Sequence, residues 1–566
     1  MQQSIVNPLR LTLLLLLAAL ALVLGWWLAR GLAVPLVEPE VAPSGLPCVS
    51  YAPFRRPGAS PLAPATAEAQ VTPAQIEEDL RILKTHTNCV RTYGLGQGLD
   101  ALPAIAARLG MRVRLGAWLA RDASQNRLEV ERALALAHEF RGTVELLIIG
   151  NEVLLRRELL PAQLAWHLDY ARKRSPVPVA YADVWEFWLR HAWLGAHVDL
   201  VTVHILPYWE DEPVAVADAV SHVLRVATQV RQRFAGQPVW VGETGWPAAG
   251  RQRGAALPGR VEQARFVREL LHAAPAAALD YNLIEAFDQP WKRALEGAMG
   301  GYWGLFDRFG QARFAWRGAI VEDPQWWRGP LGALLGAGAG LALAWPLARR
   351  ARAAPQERRG VWLASVPLAL GAALLGALLP LQWLALQQWA RTPWEWGAGI
   401  LLALLGGTLT LLVGVRLTQP SQSPPATTAP IAPAEAGASR VASGLDRAVS
   451  ALHLVLLFCA ASVALTLLFD GRYRPFAWWW FAGPTAALMA WRVGDCGRCA
   501  ATPEARLLAG VLALCALALA LAEGWRNTQA LAFCALLLGL AATVGGRLRT
   551  STSSASKAAG AHSSVL

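Results

Sequence analysis

Charge is scarce in this chain. Of 566 residues only 16% are Asp, Glu, Lys or Arg, while 54% are hydrophobic and the mean hydropathy is +0.32. That excludes an ordinary soluble protein and a disordered one. Cysteine is scarce too, at seven residues, which excludes a disulfide-stapled mini-scaffold. Cys496 and Cys499 form a lone CxxC with no second pair, so no zinc site is expected, nor any other metal or cofactor. Cys459, Cys515 and Cys534 sit in apolar runs and read as packing. Cys48 and Cys89 open two neighbouring strands, where a disulfide can form outside the cytoplasm. No glycine-rich phosphate loop follows the first strand, which counts against a doubly wound dinucleotide fold. No basic face with a reading module is visible, so nucleic acid is not an expected partner. The net charge of +12 is largely a topology signal.

Long apolar runs are what the chain has in abundance. Residues 11–29 form a charge-free run, and seven more follow at 330–348, 361–384, 396–415, 450–469, 475–491, 507–523 and 529–546. The first is read as an uncleaved anchor, because no small-x-small cleavage site follows it. The link RRARAAPQERR at 349–359 holds five arginines and reads as cytoplasmic. Arg416, Arg440, Arg447, Arg492, Arg498, Arg506, Arg547, Arg549 and Lys557 fall on that same side, whereas Arg472 and Arg474 fall on the other. The expected organisation has four parts: an anchor and linker at 1–44, an exported globular domain at 45–325, a seven-span region at 326–549 and a disordered cytoplasmic tail at 550–566. Within the seven-span region, 417–446 is a Pro/Ala/Thr/Ser-rich cytoplasmic linker. It leaves no room for a nucleotide-sugar domain. The spans hold almost no ionisable residues, His453 excepted, which argues against an ion-coupled pump.

In the globular part, strand-like runs alternate with helical patterns. The strands are 47–53, 88–94, 112–118, 144–150, 178–183, 198–208, 238–243 and 279–287, with helices between them such as 73–86 and 126–140. Pro73 and Pro161 stand where first helical turns begin. Eight nearly all-apolar strands alternating with helices predict an α/β fold, a (β/α)8 TIM barrel, joined to an α-helical membrane region.

A barrel carries its chemistry at the C-terminal ends of its strands. Those ends offer Tyr51, Arg91, Tyr93, Asn151, Glu152, His204, Tyr208, Glu243, Trp246 and Glu285. A single glutamate at a strand end is ordinarily solvated, and a tyrosine there caps the core as readily as it faces a ligand. Glu152 and Glu243, however, lie on strands 4 and 7, facing each other across the mouth. Paired carboxylates across a cleft are what glycoside cleavage needs. Aromatic rings around them suit the C–H faces of sugars. Gly242 is expected to let the backbone turn before Glu243.

IIGNE (148–152) and VWVGETGWP (239–247) resemble the two catalytic signatures of glycoside hydrolase family 17. VRTYG (90–94), FDQPWK (287–292), Glu296 and YWGLFDRFG (302–310) resemble its second strand and closing segment. The resemblance implies a retaining β-1,3-glucanase or transglycosylase. It makes Glu152 the acid/base and Glu243 the nucleophile, with Asn151 on the sugar 2-hydroxyl and Tyr208 near the nucleophile. Trp291, Lys292 and Glu296 join the substrate-binding set. The carboxyls are then expected about 5–5.5 Å apart, with Glu243 raising the pKa of Glu152. Ala248 and the apolar HILPY (204–208) depart from the plant pattern and leave linkage open. The apolar tail looks like the bacterial membrane-bound branch, which makes or remodels β-(1,3)/(1,6)-glucans. That implies an inner-membrane protein with a periplasmic catalytic domain. Its expected partners are β-glucan, membrane lipid and a glucan synthase or exporter. A non-catalytic glucan-binding or export-associated membrane protein is the alternative.

Overall fold

The computed structural model describes residues 8–40, 45–56, 58–63, 71–350, 355–418, 433–494 and 502–544. Eight parallel strands close a barrel in chain order. They are β1 (Cys48–Ser50), β2 (Cys89–Arg91), β3 (Arg112–Ala117), β4 (Val144–Asn151), β5 (Val179–Val184), β6 (Leu200–His204), β7 (Val239–Thr244) and β8 (Tyr281–Leu283). β8 returns to β1, with Cys48 opposite Asn282, so the sheet is closed rather than doubly wound.

The strands read as continuous apolar runs because both their faces are covered. All but one residue of β4 is buried. Inside the barrel Leu146, Ile148, Ala180, Ala182 and Trp240 form a cluster of their own. Alanines on β5 leave room there for the indole. The guanidiniums of Arg91 and Arg114 lie 5.8 and 4.2 Å from its ring centre.

The helix Pro73–Lys84 begins at Pro73, and the Thr72 side chain accepts from the Gln75 N–H. The helix Ala123–Glu139 starts ahead of residue 126, because Asp122, which accepts from Ser124 and Gln125, sets its first turn. Cys48 and Cys89 are joined as a disulfide, with Cα atoms 4.5 Å apart.

Helices Pro8–Gly31, Arg328–Arg350, Pro355–Trp389, Pro393–Leu417, Pro433–Asp470, Trp478–Gly494, Pro503–Glu523 and Thr528–Ala542 coincide with the eight apolar runs. Among the described residues, six helices are long and apolar enough to cross a membrane. Trp478–Gly494, at 17 residues, and Thr528–Ala542, at 15, are the two shorter ones. The helix that starts at Pro433 begins within the stretch read as linker. Cys496, Cys499, Arg498, Arg547, Arg549, Lys557, residues 419–432 and the tail lie outside the described residues.

The barrel rests on one end of this helical bundle. Arg293 donates to the Ala390 carbonyl at 2.9 Å, Arg30 pairs with Glu322 at 3.4 Å, and Ala33–Val34 pairs with Ile320–Val321. The two arginines on the minority side have local roles there. Arg474 pairs with Asp470, and Arg472 lies over Trp209 of the barrel.

The Cys48–Cys89 bond closes a 41-residue separation. Replacing both cysteines with serine is expected to lower stability by about 3 kcal/mol, read as a lower melting temperature. Equal melting of the oxidised and fully reduced wild type would show that the thiols are not paired.

Candidate active site

Glu152 follows the last residue of β4 and adopts a left-handed backbone, with φ of 52°. Gly150, two residues earlier, has φ of 85°. A non-glycine residue held in this region stores backbone strain, a common feature of functional sites. The turn is pinned from β5. The Glu152 N–H donates to the Ala182 carbonyl at 2.7 Å, and the Leu154 N–H donates to the buried Asp183 carboxylate at 3.2 Å. Asp183 also accepts from the Tyr181 hydroxyl, and burial pushes its pKa up to about 6.

Glu243 sits within β7, with β6 His204 opposite it in the ladder. Gly242 is needed for space rather than for a turn. A Cβ there would lie 2.5 Å from Thr202 Cγ2 and 3.4 Å from the His204 ring, and its φ is not positive. His204 stands between the two acids: Nδ1 is 2.9 Å from Glu152 Oε1, and Nε2 is 3.6 Å from Glu243 Oε1. One carboxylate oxygen of Glu152 and one of Glu243 lie within 4.8 Å of each other. That close approach agrees with a retaining pair, whose carboxyl groups are about 5–5.5 Å apart.

Arg91, at the end of β2, is fully buried and organises this mouth. It donates to Glu243 Oε1 at 3.0 Å, to the Gly242 carbonyl at 2.7 Å and to Asn151 Oδ1 at 2.5 Å. Glu152, His204 and Glu243 are near enough together to chelate a cation, but a metal would have to compete with this buried guanidinium for Glu243.

The structure does not bear out the expectation of a raised Glu152 pKa. Burial, the largest single influence, pushes it up. The hydrogen bond and charge of His204, with the charges of Arg91 and Arg156, outweigh burial and hold it below the usual carboxylate value.

Around the pair, Tyr93 packs under Arg91 at 5.0 Å; burial raises its pKa well above the ordinary value, with the Glu243 charge adding to the effect. Glu285 is buried, and its Oε2 accepts from Lys292 at 2.8 Å. Burial pushes Glu285 to about 7 despite that cation. Glu296 is also raised, by burial and by the charges of Glu152 and Glu243, against the pull of Lys292. Trp291 is half-buried and donates to Gln289 at 2.9 Å.

Three aromatics expected at the cleft are instead committed to the core. Tyr51 is fully buried and its hydroxyl donates to Asp79 at 2.9 Å. Tyr208 is fully buried and donates to the Arg251 carbonyl at 2.6 Å. Trp246 is fully buried, stacks on Phe266 and donates to the Leu257 carbonyl. None of the three offers a free ring face to a sugar. The exposed ring is Trp118, the residue after β3, which is 41% exposed with the Arg156 guanidinium 4.0 Å from its centre. Arg156 in turn donates to the Asn151 and Leu119 carbonyls. The RLGAW strand end carried that signal in the sequence. Asp183 carried none, being one acid in an apolar strand.

Residues 48–304 match the model of the BtgE/BtgC glycoside hydrolase domain. A glucan 1,3-beta-glucosidase of Candida albicans is 27% identical over 252 residues, 41% of this chain and 82% of that protein. One of Saccharomyces cerevisiae is 25% identical over 253 residues, 41% of this chain and 80% of that protein. Among solved structures, the glycoside hydrolase family 17 beta-1,3-glucanosyltransferase from Rhizomucor miehei superposes with a TM-score of 0.41 at 24% identity. It covers 47% of this chain and 94% of that one. The barrel and its facing carboxylates define an enzyme of the glycoside hydrolase or transglycosylase class. The match of residues 48–304 to the BtgE/BtgC glycoside hydrolase domain agrees with the family 17 resemblance of the strand-end motifs.

Replacing Arg91 with Met leaves Glu243 buried without its cation. The expected loss of stability is about 3–5 kcal/mol in chemical denaturation. Adding Glu243→Gln should restore much of it. A loss below about 1 kcal/mol for Arg91→Met would show that the pair is not structural.

Proposed function

We propose that the barrel is a membrane-anchored, retaining β-1,3-glucan hydrolase or transglycosylase, acting outside the cytoplasm. The observation that carries this reading is the pair of carboxylates whose oxygens lie within 4.8 Å with His204 between them. The names of the similar fungal proteins supply the substrate class. The six long apolar helices support anchoring.

Glu243 attacks the anomeric carbon as Glu152 passes its proton to the departing glycosidic oxygen. A glycosyl ester on Glu243 forms and the shortened glucan leaves. Glu152, now a carboxylate, takes a proton from water or from a sugar hydroxyl, and that oxygen displaces Glu243. Water gives hydrolysis; a sugar hydroxyl gives transfer. Arg91 fixes the attacking carboxylate, and Asn151, held by Arg91, faces the reacting sugar. Glu152 must be protonated at the start, although His204 holds its pKa down. A neutral sugar that covers its 24%-exposed side chain removes water and favours the acid form. Trp118 offers an exposed ring to a sugar, Tyr93, Trp291, Lys292 and Glu296 form the rest of the binding set, and the fully buried Glu285 acts through Lys292.

Glu152→Ala is expected to slow cleavage of unactivated glucan by about 10²–10⁴-fold and to spare activated aryl glucosides. Azide should rescue it and yield the β-glucosyl azide. An α-azide, or rescue only in Glu243→Ala, would reverse the two roles.

His204→Asn removes the donor that lowers the Glu152 pKa. Because a glycosidase loses activity when its acid deprotonates, the alkaline limb of kcat/KM should move to higher pH. An unmoved or lowered limb would exclude this role for His204.

A further inference from the structure

The segment that follows β7 runs from the site into the helical bundle. Arg251 is buried; it donates to the Gly471 carbonyl and pairs with Glu523. Gln252 receives hydrogen bonds from Asn527 and Thr528 at 3.1 and 2.9 Å. Between this segment and the ends of helices Pro433–Asp470 and Pro503–Glu523 lies a cavity of about 330 Å³.

The cavity has two kinds of wall. Leu467, Leu468, Leu519 and Ala522 form an apolar side, on the last turns of two helices long enough to span a membrane. Opposite them stand Arg251, Arg253 and Arg472 against one carboxylate, Glu523. Arg251 already neutralises that carboxylate. Arg253 and Arg472 have no acidic partner among the described residues. Arg253 donates to the Tyr208 and Glu210 carbonyls and lies over Trp209; Arg472 lies over Trp209 and Tyr473.

We propose that this cavity binds the anionic, phosphate-bearing headgroup of a membrane lipid, with an acyl chain running along Leu468 and Ala522. Two uncompensated guanidiniums facing one partly enclosed space repel each other and lose hydration, and an anion removes both costs. The apolar wall distinguishes a lipid from a free anion. Helix ends are where headgroups lie, and juxtamembrane arginines attract anionic lipids there. The site is separate from the carboxylates and does not depend on the catalytic reading. It does touch the same loop, since the Arg251 carbonyl accepts the Tyr208 hydroxyl.

The test uses the full chain in nanodiscs that mix phosphatidylglycerol and phosphatidylcholine, with the retained lipid read by native mass spectrometry. The wild type should keep phosphatidylglycerol over phosphatidylcholine by about tenfold, and Arg253→Gln/Arg472→Gln should lose the preference. Arg472→Gln alone, at an exposed side chain, should weaken it and covers the case in which the double variant does not fold. Millimolar glycerol phosphate should not abolish the preference. Equal retention of the two lipids, a preference that survives both substitutions, or its removal by glycerol phosphate would overturn the lipid assignment.

Discussion

The mouth of the barrel depends on one buried cation. Arg91 reaches from β2 across the interior to β7 and β4, touching the Gly242 carbonyl, Glu243 and Asn151 at once. A guanidinium without solvent exposure is tolerated only if nearly all its charge and donors are met. Glu243 meets the charge, and the Gly242 carbonyl and Asn151 amide oxygens take up the terminal nitrogens, leaving Nε without a partner. The rings of Tyr93 and Trp240 cover its faces. Lysine would not serve, because the contacts diverge toward two strands and need the planar fork. The same residue thereby fixes the rotamer of Glu243 and the orientation of Asn151.

The other constraint is where the barrel sits. The segments after β7 and β8 are the ones that touch the helices, through Arg251, Gln252 and Arg293. The ring of Trp118, after β3, is exposed, with Arg156 beside it. The bundle therefore meets the β7–β8 side of the barrel, and the Trp118 ring on the β3 side stays exposed. This also accounts for Arg472 and Arg474, which break the pattern of positive charge along the chain. They are positioned by Trp209 and Asp470 on the side where the barrel lies.

The barrel was legible because parallel strands buried on two faces have to be apolar along their whole length. Runs such as VELLIIG and VWVGE have few other uses, and each placed a glutamate at a strand end. The aromatics were less legible. A strand-end Tyr or Trp is as useful wedged between barrel and helix as it is at a cleft, and only packing separates the two. Tyr51 found Asp79, and Trp246 found Phe266, both on outer helices. The junction was not legible at all. Arg251 and Gln252 meet partners more than 200 residues away, a pairing that local pattern does not encode.

In the proposed reaction, what divides the labour between two otherwise identical carboxylates is the asymmetry of their surroundings. The Glu243 side chain is 5% exposed, within a strand and gripped by Arg91; that of Glu152 is 24% exposed, on a strained turn, with His204 as its partner. Without the imidazole and guanidinium between them, two acids at this distance would share one proton and titrate as a dyad. With both in place, Glu243 is held chiefly by Arg91 and Glu152 chiefly by His204. Attack on carbon demands a carboxylate held rigidly at one angle, which the strand and the ion pair supply. An acid/base must instead release and regain a proton in every cycle. That favours the more open group, whose partner can itself carry a proton.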